Sequence, residues 1–339
     1  GLAYGPLVPG SAVGVQFVRG DVNLGAMGTV TYVEGDKVLA FGHPFLQKGA
    51  VNYLLTNAYV FTTVQGMENS FKVGTTGDLL GVINQDRGAG VAGRLGLYPA
   101  IIPVRITVKD EDTGAVRDSA VQIVQDEQLV PVLSVTTVYD VITKTLDRVG
   151  PGTAQVNFQI TGTNIPGDTI SRDNMFYSGS DVGGAAGTEF FGVINTLATN
   201  EYTPVGLTDI KVDINISGDR HIASVMGAQI KEPTVKPGQP VELTVQLKPY
   251  RGNPITRTIT YTVPADQPAG PMILEVRGGG MVPLAQLLLK KQGLEEEVLK
   301  LKKSQFKTFA EVVKDLTEQD RNNDLVVEIM NTNPNNQAG

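Results

Sequence analysis

The chain of 339 residues contains no cysteine. A disulfide framework, a thiolate nucleophile and a cysteine-ligated metal are therefore all excluded, and the redox compartment leaves no trace in bridges. No apolar run reaches the roughly 18 residues that a spanning helix needs. The first residues also lack the charged and apolar regions of a secretory leader. Only two histidines are present, His43 and His221, which leaves little for a histidine-ligated metal. Basic residues form no patch on a chain of net charge −7, an arrangement that disfavours nucleic acid as a partner. The absence of Met at position 1 suggests a processed product, with a signal peptide removed or lying upstream, and hence an extracytoplasmic setting.

What is abundant is glycine, at 39 residues, above the usual share of about 7%. Together with few charged residues it suits many strands joined by tight turns, so a mainly β protein is expected. Alternating segments at 12–19, 28–33, 37–41, 54–63, 79–84, 102–109 and 115–125 read as short strands. The turns Gly20-Asp21, Glu34-Gly35-Asp36 and Asp112-Thr113-Gly114 have hairpin chemistry, and the spacing favours a barrel or a sandwich.

The period then changes. Val135, Val138, Val141, Ile142 and Leu146 share one helical face before Gly150-Pro151-Gly152, strands are expected at 155–161 and 169–177, and a second helix at 189–197. Alternation returns from Thr208 to Arg277, divided by Pro237-Gly238-Gln239-Pro240 and Arg251-Gly252-Asn253-Pro254 at the spacing of an immunoglobulin-like β-sandwich. Beyond Gly278-Gly279-Gly280, residues 284–303 and 304–316 read as amphipathic helices, the second with Thr308 as a cap, and 331–339 is polar enough to stay unfolded. The expected organisation is thus a β-barrel-type domain over 1–130, a mixed α/β connector over 131–205, the sandwich over 206–280, and a helical tail over 281–339.

Three ordered landmarks carry a family resemblance. Residues 28–45, GTVTYVEGDKVLAFGHPF, followed by 81–93, GVINQDRGAGVAG, and Ile101-Ile102-Pro103-Val104, resemble the His-bearing portion of SpoIVB-type serine peptidases of the trypsin-like clan. The resemblance covers about residues 10–125. It implies a trypsin-like β-barrel, a serine endopeptidase acting on a protein or peptide, no cofactor and no metal, with His43 as general base. An imidazole titrates near neutrality and can take the proton of an attacking hydroxyl. A carboxylate that fixes its tautomer is expected from Asp86, Asp78 or Asp21. Asp86 lies inside the second landmark, and an Asp86–Arg87 ion pair is the structural alternative.

The family's nucleophile motif, Gly-Met-Ser-Gly-Ser-Pro, is absent: Gly66-Met67 runs into Glu68, and Ser178-Gly179-Ser180-Asp181 has another order. The expectation is a fragment of an envelope- or self-processing endopeptidase, inactive as an isolated chain, whose serine lies upstream. The alternative is a non-catalytic module of the cell envelope that binds an envelope protein or wall polymer.

Other patterns are weaker. Gly88-Ala89-Gly90-Val91-Ala92-Gly93 matches a dinucleotide fingerprint, but no helix follows, so it reads as a glycine-rich β corner. Asp110-Glu111-Asp112 lacks the ligand spacing of a calcium loop, and His221 reads as a surface turn.

Overall fold

The computed structural model describes residues 6–64, 71–291 and 306–330. The protein is mainly β, as its glycine-punctuated alternation predicts. The strands are β1 (Ala12–Gly20), β2 (Leu24–Glu34), β3 (Lys37–Ala40), β4 (Gly49–Val64), β5 (Phe71–Arg87), β6 (Gly90–Leu95), β7 (Ile101–Asp110) and β8 (Val116–Val124). After helix α1 (Val130–Leu146) follow β9 (Gly152–Thr163), β10 (Thr169–Ser178), α2 (Val182–Ala186), α3 (Thr188–Ala198) and β11 (Gly206–Ser217). The remainder holds β12 (Ala223–Ile230), β13 (Pro240–Pro249), β14 (Ile255–Thr262), β15 (Leu274–Gly278), α4 (Leu284–Lys291), α5 (Phe309–Glu318) and β16 (Leu325–Ile329). No helix among the described residues is long and apolar enough to cross a membrane.

Antiparallel pairing runs β1-β2-β3-β6-β5-β4 and returns from β4 to β1, where Val13 faces Asn57 and Gln16 faces Leu54. Six strands therefore close on themselves, leaving no free edge over the paired stretch. Residues 13–18 of β1 are buried, as a strand covered on both faces must be.

The rest of this sheet is open. β8 pairs with Val18, Arg19 and Gly20 of β1, and the order continues β8-β7-β11-β9-β10. Helix α1 packs against α3 and against β7 and β8, over a face that includes Val104, Ile106 and Val108. Phe158 of β9 meets Phe190 of α3 with ring centroids 5.4 Å apart. One hydrophobic cluster runs from the closed ring through the open sheet and its helices to Phe309 and Val313 of α5.

Two differences from the sequence reading stand out. Strand β11, expected to open the sandwich, lies inside the large sheet, parallel to β7 and antiparallel to β9. Alternation reveals which face of a strand is buried, not which strand lies beside it. The tail is also not purely helical, because β16 pairs with β15. The three-stranded sheet β12-β13-β14 and this two-stranded one share a small cluster in which Leu274, Val276 and Val327 pack against Val241 and Leu243. The expected helix over 284–303 is described only as α4, and its remainder lies outside the described residues. Thr308 caps α5 in a capping box with Glu311, as its spacing predicts.

The C-terminal segment is fastened by Arg172 of β10, whose side chain is 5% exposed. Its Nε donates to Glu189 Oε1 at 2.7 Å, while its terminal nitrogens donate to the carbonyls of Thr317, Gln319 and Asp320 where α5 ends. A guanidinium at a helix C-terminus satisfies orphan carbonyls and complements the dipole. Asn322 adds bonds of 2.8 Å to Asn174 Oδ1 and the Met175 carbonyl. Replacing Arg172 by Ala leaves the half-buried Glu189 carboxylate with only its bond from Asn174 and frees these carbonyls. We expect a loss of about 3–5 kcal/mol in denaturant unfolding, with faster amide exchange concentrated in residues 306–330.

Candidate functional site

The chain leaves β3 through two consecutive left-handed residues, Phe41 (φ 76°) and Gly42 (φ 74°), and so delivers His43 to the surface. A phenylalanine at positive φ is disfavoured and needs compensation. The Phe41 amide donates to the Thr29 carbonyl at 2.9 Å, and its ring lies directly over Gly28, where any Cβ would collide with it. From the other side comes Gly90, with φ 143°: a Cβ there would stand 2.7 Å from the Ala40 carbonyl oxygen. Gly28, Phe41-Gly42-His43 and Gly90, far apart in sequence, thus meet as one packed unit. The glycine-rich run is the β5–β6 turn and the start of β6, with no helix behind it, so no phosphate-cradling helix end exists there.

Nδ1 of His43 lies 2.8 Å from the Pro44 carbonyl oxygen. A carbonyl can only accept, so this nitrogen carries the proton and Nε2 keeps its lone pair. The ring packs against Phe41 at 5.6 Å between centroids.

Asp86 does not hold the imidazole. Its fully buried carboxylate accepts from the amides of Phe45 (2.8 Å) and Leu46 (2.6 Å), fixing the loop just beyond His43. Neither does it pair with Arg87, whose Nε donates to Gln85 at 2.9 Å, since neighbours on a strand point to opposite faces. Asp78 is exposed, and its amide donates to Asn57; Asp21 accepts from the Ala120 amide at 2.7 Å, locking β8 beside the β1–β2 turn. None of the three carboxylates bonds to His43 in the described structure. His221 lies in the exposed turn after β11, and no cluster of metal-ligating side chains exists among the described residues.

Two further groups position the loop. Lys48 donates to both oxygens of Asp126 at 2.8 and 2.7 Å, and Asp126 also accepts from the amides of Gln128 and Leu129 leading into α1. Asp126 carried a sequence signal, an Asx-type residue before a helix, whereas Lys48 carried none. Beneath the loop, Phe45 stacks on Phe17 at 5.2 Å, and Phe17 meets Tyr53 edge-on at 4.8 Å. Tyr53 is fully buried and its hydroxyl has no hydrogen-bond partner among the described residues. Burial, with Asp126 and Asp86 nearby, pushes its ionisation well above the usual tyrosine range.

No family model, curated protein or solved structure matches the chain.

Two outcomes follow from this geometry. Asp86→Ala is expected to cost about 2–4 kcal/mol by denaturant unfolding, through two lost charge-assisted bonds, and to speed amide exchange at residues 43–48. Arg87→Ala, at an exposed site, is expected to stay within about 0.5 kcal/mol. For Tyr53, the unfolded phenol releases its proton near pH 10 while the folded one retains it. Stability contributed by this group is full below pH 10 and declines above it, by about 1.4 kcal/mol per pH unit. In urea titrations from pH 9 to 11, Tyr53→Phe is expected to show a shallower decline than the wild type, and below pH 9 to be as stable or more so, since no bond is lost.

Proposed function

We propose that this chain is the His-bearing part of an extracytoplasmic serine endopeptidase of the SpoIVB type, with the closed six-stranded ring as a trypsin-like barrel and His43 as its general base. The observation that carries the reading is the meeting of the first two landmarks: Gly28, Phe41-Gly42 and Gly90, drawn from both, pack together where His43 is presented. Its Nδ1–H contact with the Pro44 carbonyl leaves Nε2 free to accept a proton, the tautomer such a base requires.

In the reaction, a serine hydroxyl attacks the peptide carbonyl as Nε2 takes its proton, and the imidazolium returns that proton to the leaving amine. Asp86 acts as a positioning residue, holding the loop rather than the ring. No serine side chain is hydrogen-bonded to His43 among the described residues, so the nucleophile comes from another segment. The small two-sheet unit that includes β12–β16 is the immunoglobulin-like part of this proposal, an accessory to substrate or envelope binding.

That His43 bonds only to a backbone carbonyl favours a second reading, a non-catalytic envelope module on a peptidase-like barrel that binds an envelope protein or wall polymer. The test is the longest natural precursor containing these residues, as wild type and His43→Ala, followed by intact mass with and without a mixed peptide library. Cleavage by the wild type and its loss in the variant are expected. Equal behaviour, with both cutting or neither, overturns the peptidase reading in favour of the second.

A further inference from the structure

Where β11 gives way to β12, the turn at residues 218–222 meets the β13–β14 turn at 249–252 and the end of β10. A hollow of about 240 Å³ opens there, lined by Arg220, Lys248 and Arg251 together with Ser224 and Tyr250. The guanidinium carbon of Arg220 lies 4.4 Å from the Tyr250 ring centroid and 5.0 Å from that of Tyr177. Arg251 stands 5.0 Å from the same Tyr250 ring. Aromatic faces hold a guanidinium in place while leaving its N–H edge unspent.

That edge is unspent here. Among the described residues neither the Arg220 nor the Arg251 side chain forms a hydrogen bond, and none of the three cations forms an ion pair. Lys248 uses one of its hydrogens on the Gly252 carbonyl at 2.6 Å. Three like charges gathered without a counter-ion, on a chain whose net charge is −7, are mutually repulsive. An anion in the hollow removes that repulsion.

We propose that this hollow binds a phosphate monoester. A carboxylate offers a single charge to three cations, whereas a phosphate monoester carries about −1.5 to −2 at pH 7 and three acceptor oxygens. Arg220 supplies a planar fork of donors, Lys248 and Arg251 supply further charge, and the Ser224 hydroxyl is an additional donor on the wall. The site is independent of His43 and of the peptidase reading. Its walls come from the turn after β11 and from the three-stranded sheet and its β13–β14 turn.

Calorimetric titration of the full chain at low salt tests this with inorganic phosphate, glycerol 1-phosphate and acetate. Saturable 1:1 binding of both phosphates and none of acetate is expected, weakened at least tenfold in Arg220→Gln with an unchanged melting temperature. Tighter binding of glycerol 1-phosphate than of inorganic phosphate marks an esterified ligand, and equal binding marks the phosphate group alone; both support the site. Arg251→Asn, whose side chain tolerates the left-handed backbone there, repeats the test if Arg220→Gln shifts the melting temperature. Absence of saturable phosphate binding, equal binding of acetate, or full affinity in the folded variants overturns the proposal.

Discussion

Strand β1 must serve two sheets at once, and the rest of the structure depends on how it does so. Along one edge it pairs with β2; along the other, residues 13–16 pair with β4 and close the ring, while residues 18–20 pair with β8 and begin the open sheet. The register shift between Gln16 and Val18 falls where one partner gives way to the other. Both faces of the strand are covered, so Gln16 is buried among apolar neighbours and needs partners of its own, which Asn23 and Thr76 provide. Sharing this strand makes the barrel and the α/β layer one hydrophobic body.

That shared body explains how a surface loop can be held in a defined shape. Residues 41–49 contain three non-glycine or glycine turns into the left-handed region beyond Phe41 itself, at Gly42, Gln47 and Gly49. Such a path is not self-supporting. Asp86, at the end of β5, binds it from the barrel side; Asp126, at the entrance to α1, binds it from the layer side through Lys48. The aromatic stack of Phe41, Phe45, Phe17 and Tyr53 fills the space between them. If the two bodies moved independently, no fixed geometry at His43 would follow.

Much of this was legible in the sequence because local chemistry dictates it. Alternation located β1, β2, β7 and β8, the helical face of Val138, Val141 and Ile142 located α1, and Thr308 was legible as the cap of α5. Strands β6, β12 and β16 were hidden, the first two by glycines that interrupt alternation and the third by its shortness. The pairing of β11 with β7 was out of reach for another reason: parallel neighbours separated by a hundred residues leave no local mark. At the site, the family resemblance singled out His43 and left Asp86, Asp78 and Asp21 as carboxylate candidates, but whether a carboxylate points at a ring or at two backbone amides depends on rotamer and strand face.

The partner of His43 bears directly on what chemistry the ring can perform. A carbonyl and a carboxylate both fix the Nδ1–H tautomer, yet they differ in what happens once Nε2 has taken a proton. A carboxylate adds a full countercharge to the imidazolium; the Pro44 carbonyl adds only a dipole. The buried carboxylate of Asp86 has both oxygens engaged by the Phe45 and Leu46 amides and cannot turn to the ring without dismantling the loop that presents it. On the proposed peptidase reading, the segment that brings the serine would have to cover this exposed ring and supply the charge that the Pro44 carbonyl lacks.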